Sequence, residues 1–159
     1  MAEATAKTLD RLSQLVVILV IAFIVIGVIW YGVSAEVRQR VWQDLLERPT
    51  GSMKFRFLLQ PMMSTIAALR DGIMDAKFGR TGYLWTLLSN PAERRSRLEE
   101  GLTSTSKVIF MGLCMDSIYQ LIELDSFYPV EAVIVAIALA FVPYLLLRGP
   151  IARIARFWV

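Results

Sequence analysis

The chain has 159 residues, of which 56% are hydrophobic and only 19% charged, and its mean hydropathy is +0.54. An ordinary soluble domain carries about a quarter charged residues, so this balance argues against one and for a bilayer. The net charge is only +3, and the sequence has no histidine, the commonest general base and the commonest ligand for haem and zinc.

Residues 1–11 are polar, with Lys7 and Arg11 offset by Glu3 and Asp10, and read as a mobile, solvated tail. Residues 15–33 form a run of 19 without a charge. A helix needs about 20 residues to cross ~30 Å of hydrocarbon. Val33-Ser34-Ala35 offers small residues for signal cleavage. The run is nonetheless longer than the ~7–15 residues of a signal's apolar region, so it reads as an uncleaved anchor. Trp30 and Tyr31 close it with side chains suited to the headgroup level. Val37, Val41, Trp42, Leu45 and Leu46 then recur at helical spacing and predict an amphipathic helix. Pro49-Thr50-Gly51-Ser52 breaks it, dividing the chain into an anchor with its extension, 1–52, and a second unit, 53–159.

In 53–80, Leu58, Met62, Ile66, Leu69 and Ile73 make an apolar stripe interrupted by Arg70, Asp71, Asp75 and Lys77. This pattern predicts a helix lying in the membrane interface, its stripe against lipid or neighbouring helices, with Pro61 in its first turn behind Gln60 and a weak point at Gly72. Residues 79–82 read as a turn, and 83–88 as an apolar patch, too short to cross, that rests on the surface through Trp85. Asn90-Pro91-Ala92-Glu93 supplies a cap, a first-turn proline and a glutamate at the third helical position, so a helix should start at Pro91. It is expected to run to Leu124, wet over its first half and membrane-spanning from Lys107. Arg94, Arg95 and Arg97 alternate with Glu93, Glu99 and Glu100, which predicts a solvated face and no nucleic-acid partner.

The span at 107–124 places Asp116 ~12 Å from either end, where its ionised form costs at least ~2.5–3.5 kcal/mol. Tyr119, Gln120 and Glu123 follow at offsets of three, four and seven, making one polar stripe. Such a stripe should face protein or water. One reading makes Asp116 a protonated or hydrogen-bonded contact that holds the hairpin or a partner in register. The other makes it part of a proton or ion path, against which stands the inner half of the helix, 108–115, where Cys114 is the only polar continuation. No cation lies at that depth on the first span, so the contact reading expects the partner of Asp116 on another chain or another copy. Met111, Cys114 and Met115 read as packing, and a lone cysteine makes no internal disulfide.

A short acidic connection, 125–128, leads to a third helix at Pro129 and Glu131, whose apolar part, 132–147, spans ~24 Å. Pro143 is a candidate kink, Arg148-Gly149-Pro150 a terminator, and 151–158 a final surface helix. Trp30, Tyr31, Trp85, Arg148, Arg153, Arg156 and Trp158 are the expected membrane-surface anchors. Lysines and arginines number 2 before the first span, 12 between 34 and 107, none in the acidic connection and 3 after 147. With three spans, the positive-inside rule predicts the N-terminus outside and the C-terminus in the cytoplasm.

Lys54-Phe55-Arg56-Phe57-Leu58-Leu59-Gln60-Pro61, Arg70-Asp71-Gly72, Asp116 with Ile118-Tyr119-Gln120-Leu121, Tyr128-Pro129, and Pro143-Tyr144 with Arg148-Gly149-Pro150 carry a resemblance. Over 53–156, about two thirds of the chain, the sequence resembles a group of small, uncharacterised bacterial inner-membrane proteins. That resemblance implies a bacterial origin and a two-span hairpin after an interfacial segment, with the N-terminal span as an addition. It implies no activity.

The expected fold is therefore all-α and integral to the membrane, with three transmembrane helices and cytoplasmic-side interfacial amphipathic helices. The expected function is non-enzymatic, without cofactor or metal. It is that of an accessory or scaffolding subunit of a bacterial inner-membrane complex, respiratory or photosynthetic in setting, with other membrane subunits, lipid or further copies as partners. A homo-oligomeric proton or ion conductor using Asp116 is the alternative.

Overall fold

The computed structural model describes residues 2–32, 39, 42, 43, 54–123 and 125–158, with the side chains of 2–9, 54, 56 and 123 outside that description. The described residues form five helices and no strand: α1 (Ala2–Tyr31), α2 (Lys54–Lys77), α3 (Tyr83–Ser89), α4 (Pro91–Glu123) and α5 (Pro129–Ala155). Of the expected amphipathic helix at 36–49 only residues 39, 42 and 43 are described, all three helical, and the break at 49–52 lies outside the described residues.

Two helices, Asp10–Tyr31 and Pro129–Ala155, are long and apolar enough to cross a membrane. The tail expected over residues 1–11 is instead the first part of α1, because nothing between Ala2 and the apolar run interrupts helical hydrogen bonding. Gly32, at φ 67°, ends α1 by donating its N–H to the Val28 carbonyl at 2.9 Å. A fuller cap ends α2. Gly79, at φ 62°, donates to Ala76 O and the next residue, Arg80, donates to Asp75 O, which closes a Schellman motif.

The directions of the helices follow from their contacts. Gln60 of α2 meets Ala136 of α5, Ser64 meets Ala140, Asp71 meets Tyr144 and Asp75 meets Arg148, so α2 runs parallel to α5 along most of its length. It stands upright against α5 and does not lie across the bundle, as an interfacial helix would. Its 24 residues measure ~36 Å. In α4, Gln120 meets Tyr128 and Glu100 meets Arg148, so α4 and α5 are an antiparallel hairpin. Asp10, Ser13 and Gln14 of α1 share a groove with Glu99 and Thr103, while Tyr31 donates to the Phe127 carbonyl at 3.0 Å. The N-terminal end of α1 therefore lies at the end of the bundle that holds Arg148, and Tyr31 lies at the end that holds the 125–128 connection. The expected topology instead places Asp10 and the C-terminus on opposite sides.

The faces of α2 are inverted relative to a soluble helix. Leu58, Met62, Ile66, Leu69 and Ile73 are all exposed, at 63, 53, 64, 43 and 38%. Gln60, Ser64, Ala68, Gly72 and Asp75 are all buried. These residues, together with the fully buried Ala136 and Ala140 on α5, let the two backbones approach closely. A Cβ at Gly72 would lie 3.0 Å from the Arg148 carbonyl oxygen and 2.8 Å from Ile151. The helix runs through Gly72, held by this tight contact, and because it begins at Lys54, Pro61 lies inside it and not in its first turn. Packing on α2 likewise carries α5 unbroken through Pro143 and Pro150 to Ala155, so no separate final helix forms. A conventional apolar cluster joins α1 to the hairpin through Val16, Ile109, Leu113, Ala132 and Val133, with Phe23 against Phe127 edge-on at 5.6 Å.

Candidate functional site

At the end of the bundle shared by the N- and C-terminal helix ends, α2, α3, α4 and α5 bring seven polar side chains together. Asp71 and Asp75 lie one turn apart on the buried side of α2, Tyr144 and Arg148 one turn apart on α5, and Arg97 and Glu100 on α4. The turn after α2 aims Tyr83, at the start of α3, into the same space. Arg148 is 0% exposed, and so are Asp75, Tyr83 and Tyr144.

Arg148 engages through all three of its nitrogens. Nε and Nη2 donate to the two oxygens of Asp75 at 2.7 and 3.0 Å, Nη2 also donates to Glu100 at 2.8 Å, and Nη1 donates to the Tyr144 hydroxyl at 2.5 Å. Tyr144 passes the chain on by donating to Asp71 at 2.6 Å. The Tyr83 ring lies 4.3 Å beneath the Arg148 guanidinium, and its hydroxyl donates to the Arg97 carbonyl at 2.8 Å. Arg97 bridges Asp75 and Glu100 at 3.1 and 3.2 Å, and Arg80 stands 3.6 Å from Asp75 at the rim. Three arginines thus face three carboxylates. The charges balance, which is what lets a buried arginine persist. Burial pushes the Tyr83 hydroxyl up to about 12, with Glu100 adding to the rise and Arg148 opposing it.

Two further levels of the interior are polar. Midway, the Gln60 amide donates to Val108 O and Ala136 O, and the Ser64 hydroxyl donates to Ala140 O. Near the far end, Gln120 donates to Asp116 at 2.7 Å and accepts the Tyr128 N–H at 2.6 Å. Asp116 and Gln120 are both 0% exposed. Within the chain, Asp116 thus accepts a hydrogen bond from Gln120, one turn along the same helix, where the contact reading expects its partner on another chain or another copy. Of the other two stripe members, Tyr119 is half-buried and the Glu123 side chain lies outside the described residues.

The expected surface anchors divide. Trp30, Trp85, Arg153 and Trp158 are exposed, Tyr31 reaches the Phe127 carbonyl, and Arg156 is exposed while donating to the Arg80 carbonyl. Arg148 is the correction. Its place at the end of an apolar run predicts a headgroup contact, yet it turns inward because Asp75 of α2 stands level with it. Asp71, Asp75, Tyr83, Arg97, Glu100 and Tyr144 were missed as a site. The available signal was the second stripe of α2, with Gln60, Ser64, Ala68, Gly72 and Asp75 recurring every three or four residues opposite the apolar one.

Chemically, the network ties four helices together with charge-assisted bonds. Among the described residues no group of three His, Cys, Asp or Glu is placed to hold a metal ion. Comparison with protein-family models, with curated proteins and with solved structures finds no match to this chain.

Proposed function

We propose that this chain is a non-enzymatic subunit of the bacterial inner membrane, crossing it four times and serving as an accessory or scaffolding partner of other integral membrane proteins. The observation that carries the reading is the inversion of α2, whose large apolar side chains point outward while its polar ones are buried. Water would penalise that arrangement and hydrocarbon rewards it. The segments Asp10–Tyr31, Lys54–Asp75, Glu100–Gln120 and Pro129–Arg148 are each about 30 Å long at ~1.5 Å per residue, the thickness of one hydrocarbon core. Lys and Arg at 7, 11, 70, 77, 80, 94, 95, 97, 148, 153 and 156 belong to the end with both termini. That bias favours placing this end in the cytoplasm, with the N-terminus inside and not outside.

Scaffolding is favoured over turnover because the buried polar groups are spent on fastening helices to one another. The second reading, a proton or ion conductor, is favoured by their spacing: Asp116 with Gln120, then Gln60 and Ser64, then Tyr144 and Asp71 succeed one another along the interior. The inner half is therefore not apolar, as α4 alone suggests, because α2 supplies its polar groups.

One experiment addresses both. The protein is purified from its own membranes in mild detergent, the components that co-migrate in fixed ratio are identified, and proton flux is measured in liposomes for wild type and Asp116→Asn, which keeps an acceptor for Gln120. A stoichiometric membrane-protein partner with no flux supports the scaffold. A pure oligomer whose flux disappears in Asp116→Asn overturns it in favour of the conductor.

A further inference from the structure

On the outer flank of the hairpin, Leu98, Leu102 and Ile109 of α4 and Ile137 and Phe141 of α5 line an open groove of about 560 Å³. Its mouth carries Arg94 and Arg95 beside Glu99. Arg95 is paired with Glu99 at 3.0 Å, while Arg94 anchors on the carbonyls of Leu87 and Leu88 at the end of α3 and brings a net positive charge to the mouth.

The dimensions of the groove match half a bilayer. Its apolar walls extend from Leu98, just outside the level of Arg148, to Ile109 beside the midpoint of the α4 crossing. At ~1.5 Å per residue that is about 16 Å, one leaflet's share of a ~30 Å hydrocarbon core. The arginines begin where the apolar wall stops, at the depth of lipid phosphates. An acyl chain in the trough and a phosphate at the mouth satisfy both halves of this surface at once.

We infer that the groove between α4 and α5 is a binding site for one anionic phospholipid of the leaflet facing the two termini, its phosphate on Arg94 and Arg95 and one acyl chain along Leu98 to Ile109. The site rests on the membrane-spanning reading of the bundle. Occupancy adds an acyl chain that touches both helices of the hairpin, so the lipid stabilises the fold as any ligand that binds only the folded state does.

The test uses the full chain in mild detergent and follows thermal unfolding and native mass spectra with added phosphatidylglycerol or phosphatidylcholine. Phosphatidylglycerol should raise the midpoint by several degrees and be retained as a single adduct, with phosphatidylcholine giving a much smaller shift. Leu102→Trp, which fills the trough and leaves both arginines in place, should abolish the adduct and the difference between lipids. Ile137→Trp, on the opposite wall, serves where Leu102→Trp does not fold. Equal shifts with the two lipids, or an adduct that survives the filled trough, overturn the site. A chain that is monodisperse without detergent overturns the membrane reading beneath it, which is a separable outcome.

Discussion

Asp75 and Arg148, 73 residues apart in the chain, meet in a two-bonded ion pair at 2.7 and 3.0 Å with both side chains sealed from solvent. Neither helix would place these charges inward alone. Each is acceptable because the other stands at the same height, and Glu100, Arg97 and Tyr144 take up the hydrogen-bonding capacity that remains.

Removing one partner should cost far more than removing both. Arg148→Met takes the two-bonded partner from Asp75, leaving it Arg97 and the more distant Arg80, and is expected to cost about 3–5 kcal/mol, while the double variant Asp75→Asn/Arg148→Met should recover much of that loss. Arg148→Lys should fall between, since an ammonium cannot make the two-pronged contact. Denaturant titration in mild detergent, followed by helical circular dichroism, measures the coupling. Additive losses from the two single changes would show the pair to be independent.

This pair also marks where the sequence stopped being legible. The start of α4 at Pro91 and its run to Glu123 were readable from Asn90, Pro91 and the absence of a breaker before Glu123. The all-helical class followed from apolar periodicity. The interior of the bundle was not readable, because in a membrane the periodic apolar stripe is the outside of the helix and the weak stripe of Gln60, Ser64, Ala68, Gly72 and Asp75 is the inside. Reading Leu58 to Ile73 as the informative face laid α2 flat, hid its partnership with α5 and left Arg148 with only headgroups to bind. Asp116 stood out because it interrupts an apolar run; Asp75 did not, because charged neighbours surround it in sequence.

The close approach of α2 to the hairpin makes Gly112 sensitive. A Cβ there would lie 2.1 Å from the Gln60 amide nitrogen and 3.2 Å from the Ala136 methyl group. Gly112→Ala should therefore expel the Gln60 amide from the carbonyls of Val108 and Ala136, at a cost of about 1–3 kcal/mol. Gln60→Ala makes room for the new methyl group, so the double variant should be less damaged than the sum of the singles. Unfolding titrations of the three variants provide the comparison, and full additivity would mean that the contact does not exist.

Side-specific labelling checks the order of the crossings. In a Cys114→Ser background, single cysteines at Asp10, Trp30, Asp125 and Arg153 are treated with a membrane-impermeant maleimide, before and after the membrane is opened. Trp30→Cys and Asp125→Cys should react from outside, and Asp10→Cys and Arg153→Cys only once the cytoplasmic face is accessible. The three-crossing arrangement makes the opposite prediction for Asp10 and Trp30, so those two positions alone decide between them.

Alkaline pH should loosen the charged end through Tyr83. Its hydroxyl ionises near 10 in an unfolded chain, but burial, its largest cause of shift, with Glu100 adding and Arg148 opposing, raises it to about 12 in the fold. A group raised in this way contributes its full stability below pH 10. As the pH climbs from 10 toward 12 the unfolded chain gives up its proton first, so the contribution is lost across that window. Tyr83→Phe should lower stability near neutrality by about 1 kcal/mol, through loss of the bond to the Arg97 carbonyl, and should flatten part of the fall above pH 10. Thermal midpoints measured from pH 8 to 12 in detergent compare the two proteins, and parallel curves across the whole range would remove Tyr83 as the group responsible.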